Sequence, residues 1–232
     1  MPRKPVTLDA TSAGTKTRIL DAAERLFVEH GFEATSLRSL TSAAGVNLAA
    51  VNYHFGSKEE LFQAVLTRRL DPMNQERIDL LERMEREAGT RPLTCEKILF
   101  AMLVPALRLA RDEKRGGKDF LRLVGRAYAD PAPFIRHFLS AQYAGMIGRY
   151  KEAFGKALPH LSRQELTWRL HFVMGALSYT LAGTDALKLF AEATSTTNND
   201  ELLLQRLAPF LVAGLKAPAL ADTRKLELVA GL

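Results

Sequence analysis

The sequence has one cysteine and one tryptophan in 232 residues, and it lacks a long apolar run. A single cysteine excludes an intramolecular disulfide and supplies no zinc cluster, so we expect a reducing, cytoplasmic location and no bound metal. No apolar stretch approaches the roughly 20 residues that span a bilayer, which predicts a protein with no membrane segment. The polar start, MPRKPVTLDATSAG, is unlike a secretion signal, and we expect residues 1–14 to form a flexible arm.

The motifs of common enzyme classes are also missing. The sequence contains no GxSxG motif, no cluster of metal ligands and no glycine-rich phosphate loop. Cys95 falls in the first turn of an apolar helix, with no sequence sign of an activating partner. We therefore expect neither enzymatic activity nor a cofactor.

Acidic residues are absent from positions 34–58, although the segment contains Arg38, His54 and Lys58. The whole chain carries a formal net charge of +6 and has a sequence pI near 9.5. A modest positive charge favours polyanionic partners without identifying one. A surface without carboxylates does not repel phosphate, so this segment is the first candidate for contact with nucleic acid.

The same segment predicts two short helices joined by a tight turn. The first helix begins after the cap candidates Thr35 and Ser36 and stops at Gly45. Asn47 is suited to cap the second helix, at positions 48–55, whose apolar residues recur on one face. The other face is free to contact bases and phosphates, as in a helix-turn-helix unit.

Helices on either side are expected to support this pair. The pattern over residues 17–30 predicts an amphipathic helix that ends at Gly31. A capping box from Ser57 to Glu60 starts another helix, which we expect to break or bend at Asp71-Pro72. We assign residues 15–62 to a DNA-binding domain and residues 58–71 to a helix linking it to the rest.

Beyond residue 71 the pattern remains helical, and no alternating β pattern of useful length occurs. Helices are predicted at about 73–88, 95–110, 118–128 and 134–158, with Pro105 bending the second of these. The fold class is therefore all-α, with a second domain at 72–216 and a loosely ordered tail at 217–232.

Two late segments, 166–182 and 201–215, are apolar on two sides. Such helices are explained most simply if one side faces the domain core and the other a second copy of the chain. We therefore expect a homodimer through these helices. The alternative is one larger monomeric core.

Residues 17–36 (TRILDAAERLFVEHGFEATS) and 52–62 (NYHFGSKEELF), with the two-helix unit between them, resemble the DNA-binding signature of the TetR family of bacterial transcription regulators. The resemblance implies an N-terminal three-helix bundle and a larger C-terminal domain for ligand sensing and dimerisation. It also implies binding of double-stranded DNA at a palindromic operator, usually with repression and with release by a small molecule.

The resemblance and the helix pattern together give an expected DNA-binding surface. Asn52 occupies a position that is aromatic in many members, and an amide can pair bidentately with adenine. Phosphate contact is assigned to Ser36, Arg38, Tyr53, His54 and Lys58. Apolar contact with thymine methyl groups is assigned to Leu48, Ala49 and Ala50, and the cap residue Asn47 completes the surface.

The run WRLHF at 168–172, leading into MGA at 174–176, looks, together with GVNLAAVNYHFGSK, like the PsrA-type group of regulators associated with fatty-acid metabolism. That resemblance implies an apolar effector such as a fatty acid or acyl-CoA. The candidate pocket comprises Leu99, Met102, Phe120, Val124, Phe138, Met146, Trp168, His171, Phe172 and Met174. Candidates for a carboxylate head group are Arg122, Arg126 and His171. Ordinary core or surface positions are the alternative for each.

Three other interpretations remain open at this stage. A constitutive DNA-binding protein without an effector predicts a filled C-terminal core. A protein-interaction module predicts negligible affinity for DNA, and an enzyme requires a reactive cluster that the sequence does not show.

Overall fold

The computed structural model describes residues 8–130, 132–182 and 200–219. Within these ranges the chain is helical and contains no strand, so the predicted all-α class is confirmed. The helices are α1 (Leu8–Ala34), α2 (Leu37–Ala44), α3 (Leu48–Phe55), α4 (Lys58–Ala88), α5 (Cys95–Arg111), α6 (Gly117–Ala129), α7 (Pro133–Gln142), α8 (Ala144–Ala157), α9 (Arg163–Leu181) and α10 (Asp200–Lys216). A 3-10 turn, Glu113–Arg115, precedes α6.

Two apolar clusters form the interior. The first is built from α1 to α4 with parts of α5, α6 and α7, and includes Phe27, Val51 and Phe62. The second joins the later part of α4 to α5, α8, α9 and α10, and includes Leu81 and Phe154. Helix α4 contributes to both clusters, so it connects the N-terminal bundle to the C-terminal helices.

The sequence predicts a break or a bend at Asp71-Pro72, but α4 is not broken there and continues through Pro72 to Ala88. Proline removes one backbone hydrogen bond, at a cost of about 3 kcal/mol in a helix interior. Leu70 and Met73 are buried on either side of the proline, and Leu81 is buried further along. Burial of this apolar face offsets the lost hydrogen bond, which explains why the proline does not break the helix.

Two other boundaries differ from the predictions. Helix α1 begins at Leu8, so residues 8–14 are helical and not part of an arm, although the backbone does leave helical geometry at Gly31 as expected. The single helix predicted at 134–158 is two helices, separated at Tyr143 (φ −109°, ψ 14°). Tyr143 is buried there and donates a hydrogen bond to Asp71 Oδ1 at 3.0 Å. The predictions for residues 1–7 and 220–232 lie outside the described residues.

Arg169 links the last helix to α9 in a way that the sequence did not reveal. Its guanidinium is buried, pairs with Glu165 at 2.8 Å and donates to the carbonyls of Leu215 (2.8 Å) and Pro218 (3.0 Å), among others. The last carbonyls of a helix have no partner within that helix. Arg169 supplies donors for them and thereby holds the end of α10 against α9.

Helices α6 and α9 cross closely at Gly125. A Cβ atom at this position would lie 2.4 Å from the backbone nitrogen of Ala182 and 2.8 Å from the carbonyl oxygen of Ser178. Because the neighbouring atoms belong to the backbone, they cannot move aside as a flexible side chain can. Glycine is therefore required at this crossing.

We expect Gly125→Ala to lower the free energy of unfolding by about 2 kcal/mol, since overpacking forces the two helices apart. Gly148→Ala is the matched control, because its new methyl group meets nothing within 4 Å on α8. The control should be neutral or should stabilise by about 0.5 kcal/mol through helix propensity. Urea denaturation measures both, and equal effects of the two variants would contradict the crossing argument.

Candidate nucleic-acid interface

The helix-turn-helix unit forms from the local signals that the sequence contains. Ser36 caps α2 by accepting from the amide of Ser39 at 3.0 Å, and Gly45 ends the helix in the left-handed region (φ 61°). Asn47 caps α3 by accepting from the amide of Ala50 at 2.9 Å. The predicted cap role of Asn47 is thus confirmed, and these caps define the turn between the two helices.

Helix α3 buries one face and exposes the other. Val51 and Phe55 are buried in the first cluster, whereas Tyr53 is 81% exposed. Leu48, Ala49 and Asn52 are also exposed, as are Ser36 and Arg38 nearby. Ala50 and His54 are only partly exposed, and Ala50 packs against the cluster, so it offers less surface than predicted. The exposed side chains form a continuous face without a carboxylate.

An aromatic cluster lies among the helices that pack beside α3. The Phe27 and Phe62 rings lie 5.0 Å apart, Phe32 and Phe62 lie 5.1 Å apart, and Phe32 lies 4.8 Å from Phe134 of α7. Aromatic pairs at these separations add to the energy of simple area burial. The ring contacts therefore join α1, α4 and α7, within the same apolar cluster that contains the buried residues of the two short helices.

Lys58 does not point toward solvent as a phosphate contact would. Its ammonium donates to the carbonyl oxygens of Phe32 (2.9 Å) and Thr35 (3.0 Å) and lies 4.2 Å from the centre of the Phe32 ring. Charged donors to carbonyls are among the stronger hydrogen bonds in proteins. We therefore correct the assignment of Lys58 from phosphate contact to positioning, because it ties the start of α4 to the turn before α2.

Ion pairs between α1 and α4 were not anticipated. Glu24 is buried and accepts from Arg69 at 3.0 Å and from Arg68 at 3.5 Å, while Arg68 also pairs with Asp21 at 2.6 Å. In the sequence these residues resemble ordinary charges on solvated helix faces, since the pairing partners are more than 40 positions apart. The pairs add a second tie between α1 and α4.

The predicted effector-pocket residues are not brought together. Phe120 and Val124 are buried in the first cluster, with Phe138 packed against it. Leu99 and Met102 belong to the second cluster, and Met146 packs against both. Trp168, His171, Phe172 and Met174 are exposed on α9, because the helix turns Leu166, Val173 and Leu177 inward instead. The last four residues therefore belong to a surface and not to a pocket.

The predicted head-group residues also have other surroundings. Arg122 pairs with Asp119 at 2.8 Å, and Arg126 donates to the carbonyl oxygen of Val28 in α1 at 2.9 Å. Both arginines line a charged surface cleft between α1, α4 and α6, which contains none of the apolar pocket candidates. His171 lies edge-on to the ring of Trp168 and tilted against the ring of Phe172 on the exposed face of α9. None of the three residues faces an apolar pocket in this arrangement.

Comparison with family models identifies both parts of the chain. Residues 19–65 match the model described as bacterial regulatory proteins, tetR family, and residues 101–214 match the tetracyclin repressor-like C-terminal domain. The chain belongs to the TetR family of bacterial regulatory proteins. The resemblance inferred from the helix-turn-helix residues is thereby confirmed at the level of the family.

Relatives with curated names support the same placement. The chain is 33% identical over 101 residues to the HTH-type transcriptional regulator TtgR of Pseudomonas putida, covering 44% of this chain and 46% of TtgR. It is 43% identical over 51 residues to the HTH-type transcriptional repressor AcnR of Corynebacterium efficiens, covering 22% of this chain and 27% of AcnR. The chain thus matches less than half the length of either relative. Both names describe transcription regulators and not enzymes, in agreement with the expected function class.

Solved structures share the whole architecture. The fatty acid degradation regulator FadR from Bacillus halodurans superposes with a TM-score of 0.58 at 16% identity, covering 93% of this chain and 99% of that one. At that identity the likeness establishes the fold alone. Among the described residues, no helix is both long enough and apolar enough to cross a membrane.

The different surroundings of Lys58 and Arg38 lead to opposite expectations. Lys58→Met should lower the free energy of unfolding by about 2 kcal/mol, because two carbonyl oxygens lose a charged donor. Arg38→Ala should leave stability unchanged, since Arg38 is exposed, but should reduce the salt slope of DNA binding by about 1. Thermal unfolding and binding titrations at several salt concentrations measure the two effects. A normal stability for Lys58→Met, combined with a reduced salt slope, would restore the phosphate assignment.

Proposed function

We propose that this protein is a DNA-binding transcription regulator, most simply a repressor, that binds a palindromic operator as a dimer and is released by a small effector. The observation that carries the proposal is the exposed, carboxylate-free face of α3, which is capped by Asn47, follows the capped helix α2 and packs by its other face on the first apolar cluster. A helix presented in this way fits the major groove of B-DNA. Members of the TetR family bind DNA and function as dimers.

On this proposal, some of the exposed residues contact bases and others contact phosphates. Asn52 contacts base edges, where an amide distinguishes adenine from the other bases, and Leu48 and Ala49 contact thymine methyl groups. Ser36, Arg38, Tyr53 and His54 contact phosphates and thereby set the register of the helix on the duplex. Ala50 makes at most a minor contact, because it also packs on the core.

A dimer follows from an apolar surface on the last two described helices. Phe172 is 63% exposed and Phe210 is 70% exposed, and Trp168 and Tyr179 share the outer face of α9 with Phe172. Soluble monomers rarely leave several large aromatic side chains together in water. We assign this surface, defined by Trp168, Phe172, Tyr179 and Phe210, to contact with a second copy. The dimer places two copies of α3 on one duplex, with half-sites about one helical turn (roughly 34 Å) or a multiple apart.

The identity of the effector is the least specific part of the proposal. A fatty-acid-like molecule is favoured by the PsrA-type resemblance and by the fold shared with FadR, which is named as a regulator of fatty acid degradation. The rival interpretation, a constitutive DNA-binding protein, is favoured by the closed packing of Phe120, Val124 and Leu99. It predicts a DNA affinity that no small molecule changes, and titration of the complex with fatty acids and acyl-CoA thioesters decides between the two.

Release requires that the effector bind better to a conformer in which the two copies of α3 no longer match the operator. Helix α4 begins beside α3 and extends into the second cluster, so a tilt of α4 moves α3. A hundredfold preference of the effector for the released conformer contributes about 2.7 kcal/mol per site. This free energy is enough to change the occupancy of the operator substantially.

We expect Asn52→Ala to reduce discrimination between the operator and a variant with one substituted adenine by about 2 kcal/mol, roughly 30-fold. Binding to scrambled DNA should change little, because phosphate contacts remain. Competition binding with the two duplexes measures the difference. Unchanged discrimination would remove Asn52 from base recognition.

We expect Phe172→Glu to convert the dimer to a monomer, because a carboxylate would be buried without a partner at the centre of the contact. Ile147→Glu is the control, since Ile147 is also exposed but lies on α8 and is not one of the residues that define the surface on α9 and α10. Sedimentation or light scattering measures the oligomeric state. A dimer that survives Phe172→Glu but not Ile147→Glu would move the interface to α8.

A further inference from the structure

Two polar residues interrupt the buried face of α4 where it passes from one apolar cluster to the other. Met73 belongs to the first cluster, whereas Ile78 and Leu81 belong to the second. Asn74 and Arg77, one helical turn apart, lie between them and are joined by a hydrogen bond of 2.8 Å from the guanidinium to Asn74 Oδ1. An apolar pair at these positions would make the two clusters continuous.

Arg77 has no carboxylate partner among the described residues. Its guanidinium donates to the carbonyl oxygen of Met102 in α5 at 2.8 Å and to Asn74, and both acceptors are neutral. Arg77 is partly buried, and desolvation lowers its pKa. Burial raises the pKa of Tyr128 and of Tyr150, so their hydroxyl groups are uncharged and supply no countercharge. Removing a cation from water without a countercharge destabilises a protein. Such an arrangement is therefore expected where a ligand supplies the missing charge.

The side chain of Asn74 has a donor without a partner. Asn74 is 5% exposed, and its Nδ2 atom is buried and bonds to no acceptor. A buried amide donor left unpaired costs about 1–3 kcal/mol. Asn74 and Arg77 thus present an unpaired donor and an unneutralised cation side by side, which is the complement of a carboxylate.

Two prolines and two methionine side chains lie along the helices around this pair. Pro72 in α4 and Pro105 in α5 each remove one backbone hydrogen bond close to the pair. Met102 and Met146 are partly buried at the boundary of the clusters, and methionine side chains repack readily around a ligand. A compact apolar body can therefore enter between the two clusters once α5 moves slightly away from α4.

We propose that Asn74 and Arg77 bind the carboxylate of a monoanionic effector whose apolar body lies between the two clusters, beside Met102 and Met146. This inference rests on the proposed function, because it names the class of effector for the regulator. One guanidinium is neutralised by one negative charge, whereas a dianionic phosphate would leave a buried net charge. The earlier head-group candidates Arg122, Arg126 and His171, on α6 and α9, are thereby replaced by a pair on α4, the helix that also reaches α3.

The test uses the full-length protein without DNA and compares decanoate with decanamide, which has the same chain but no charge. At a concentration ten times its Kd, decanoate should raise Tm by about 4 °C, and decanamide should have little effect. Arg77→Met should abolish the response to decanoate. Arg108→Met, at an exposed arginine of α5, should retain it.

Asn74→Asp provides a second and independent readout. It places a carboxylate beside the guanidinium, so it should raise the Tm of the ligand-free protein and abolish the response to decanoate. Gln142→Glu makes the same amide-to-carboxylate change at an exposed position of α7 and should change neither quantity. A purely structural role for Asn74 predicts instead a lower Tm and an unchanged response.

Four results would overturn the inference: equal stabilisation by decanoate and decanamide, no stabilisation by decanoate, stabilisation by decyl phosphate but not by decanoate, or a decanoate response that survives Arg77→Met. Because DNA is absent, these results are independent of operator binding. A protein that binds its operator but fails this test retains the proposed function, whereas one that passes without binding DNA loses only that function.

Discussion

The continuity of α4 is the constraint on which the rest of the structure depends. Its apolar face is buried in the N-terminal bundle as far as Met73 and packs on the C-terminal cluster from Ile78 onward, so both clusters include residues of this one helix. Burial along both halves outweighs the bond lost at Pro72. A helix shared in this way cannot shift at one end without changing the packing at the other, and this is how an event between the clusters reaches α3.

Polar bonds hold α1 to its neighbours and complete that connection. Lys58 of α4 bonds to the carbonyl that ends α1, Glu24 of α1 pairs with two arginines of α4, and Arg126 of α6 bonds to the carbonyl of Val28. Each bond joins the DNA-binding bundle to a helix of the C-terminal part or to its linker. Helix α3 is therefore positioned by side chains whose hydrogen bonds and ion pairs are made within the protein. In contrast, its exposed residues make few internal contacts and are free to form an interface.

The sequence predicted those parts of the fold whose signals are local. The caps at Ser36, Asn47 and Ser57 and the glycine at position 45 act within one turn of the chain, and the structure confirms each of them. The sequence did not reveal that α4 continues unbroken through Pro72 or that the helix predicted at 134–158 is divided at Tyr143, because both features depend on what a segment packs against. The Asn74 and Arg77 pair was missed for the same reason, since in the sequence it is part of a charge-rich stretch that resembles a solvated helix. Candidates chosen for their apolar character were divided between two clusters and a surface.

By itself, the sequence determined the all-α class, the helix-turn-helix unit and the exposed face of α3, because periodicity, caps and left-handed glycines are properties of short segments. Tertiary structure alone decided that Lys58 bonds inward, that the Trp168 to Tyr179 face is left outside the core, and that α4 runs unbroken past an unneutralised arginine. These features depend on contacts between groups that are tens of residues apart in the sequence. The free energies of burial and of pairing determine which of these groups come into contact, and the pattern within a short segment of sequence does not show it.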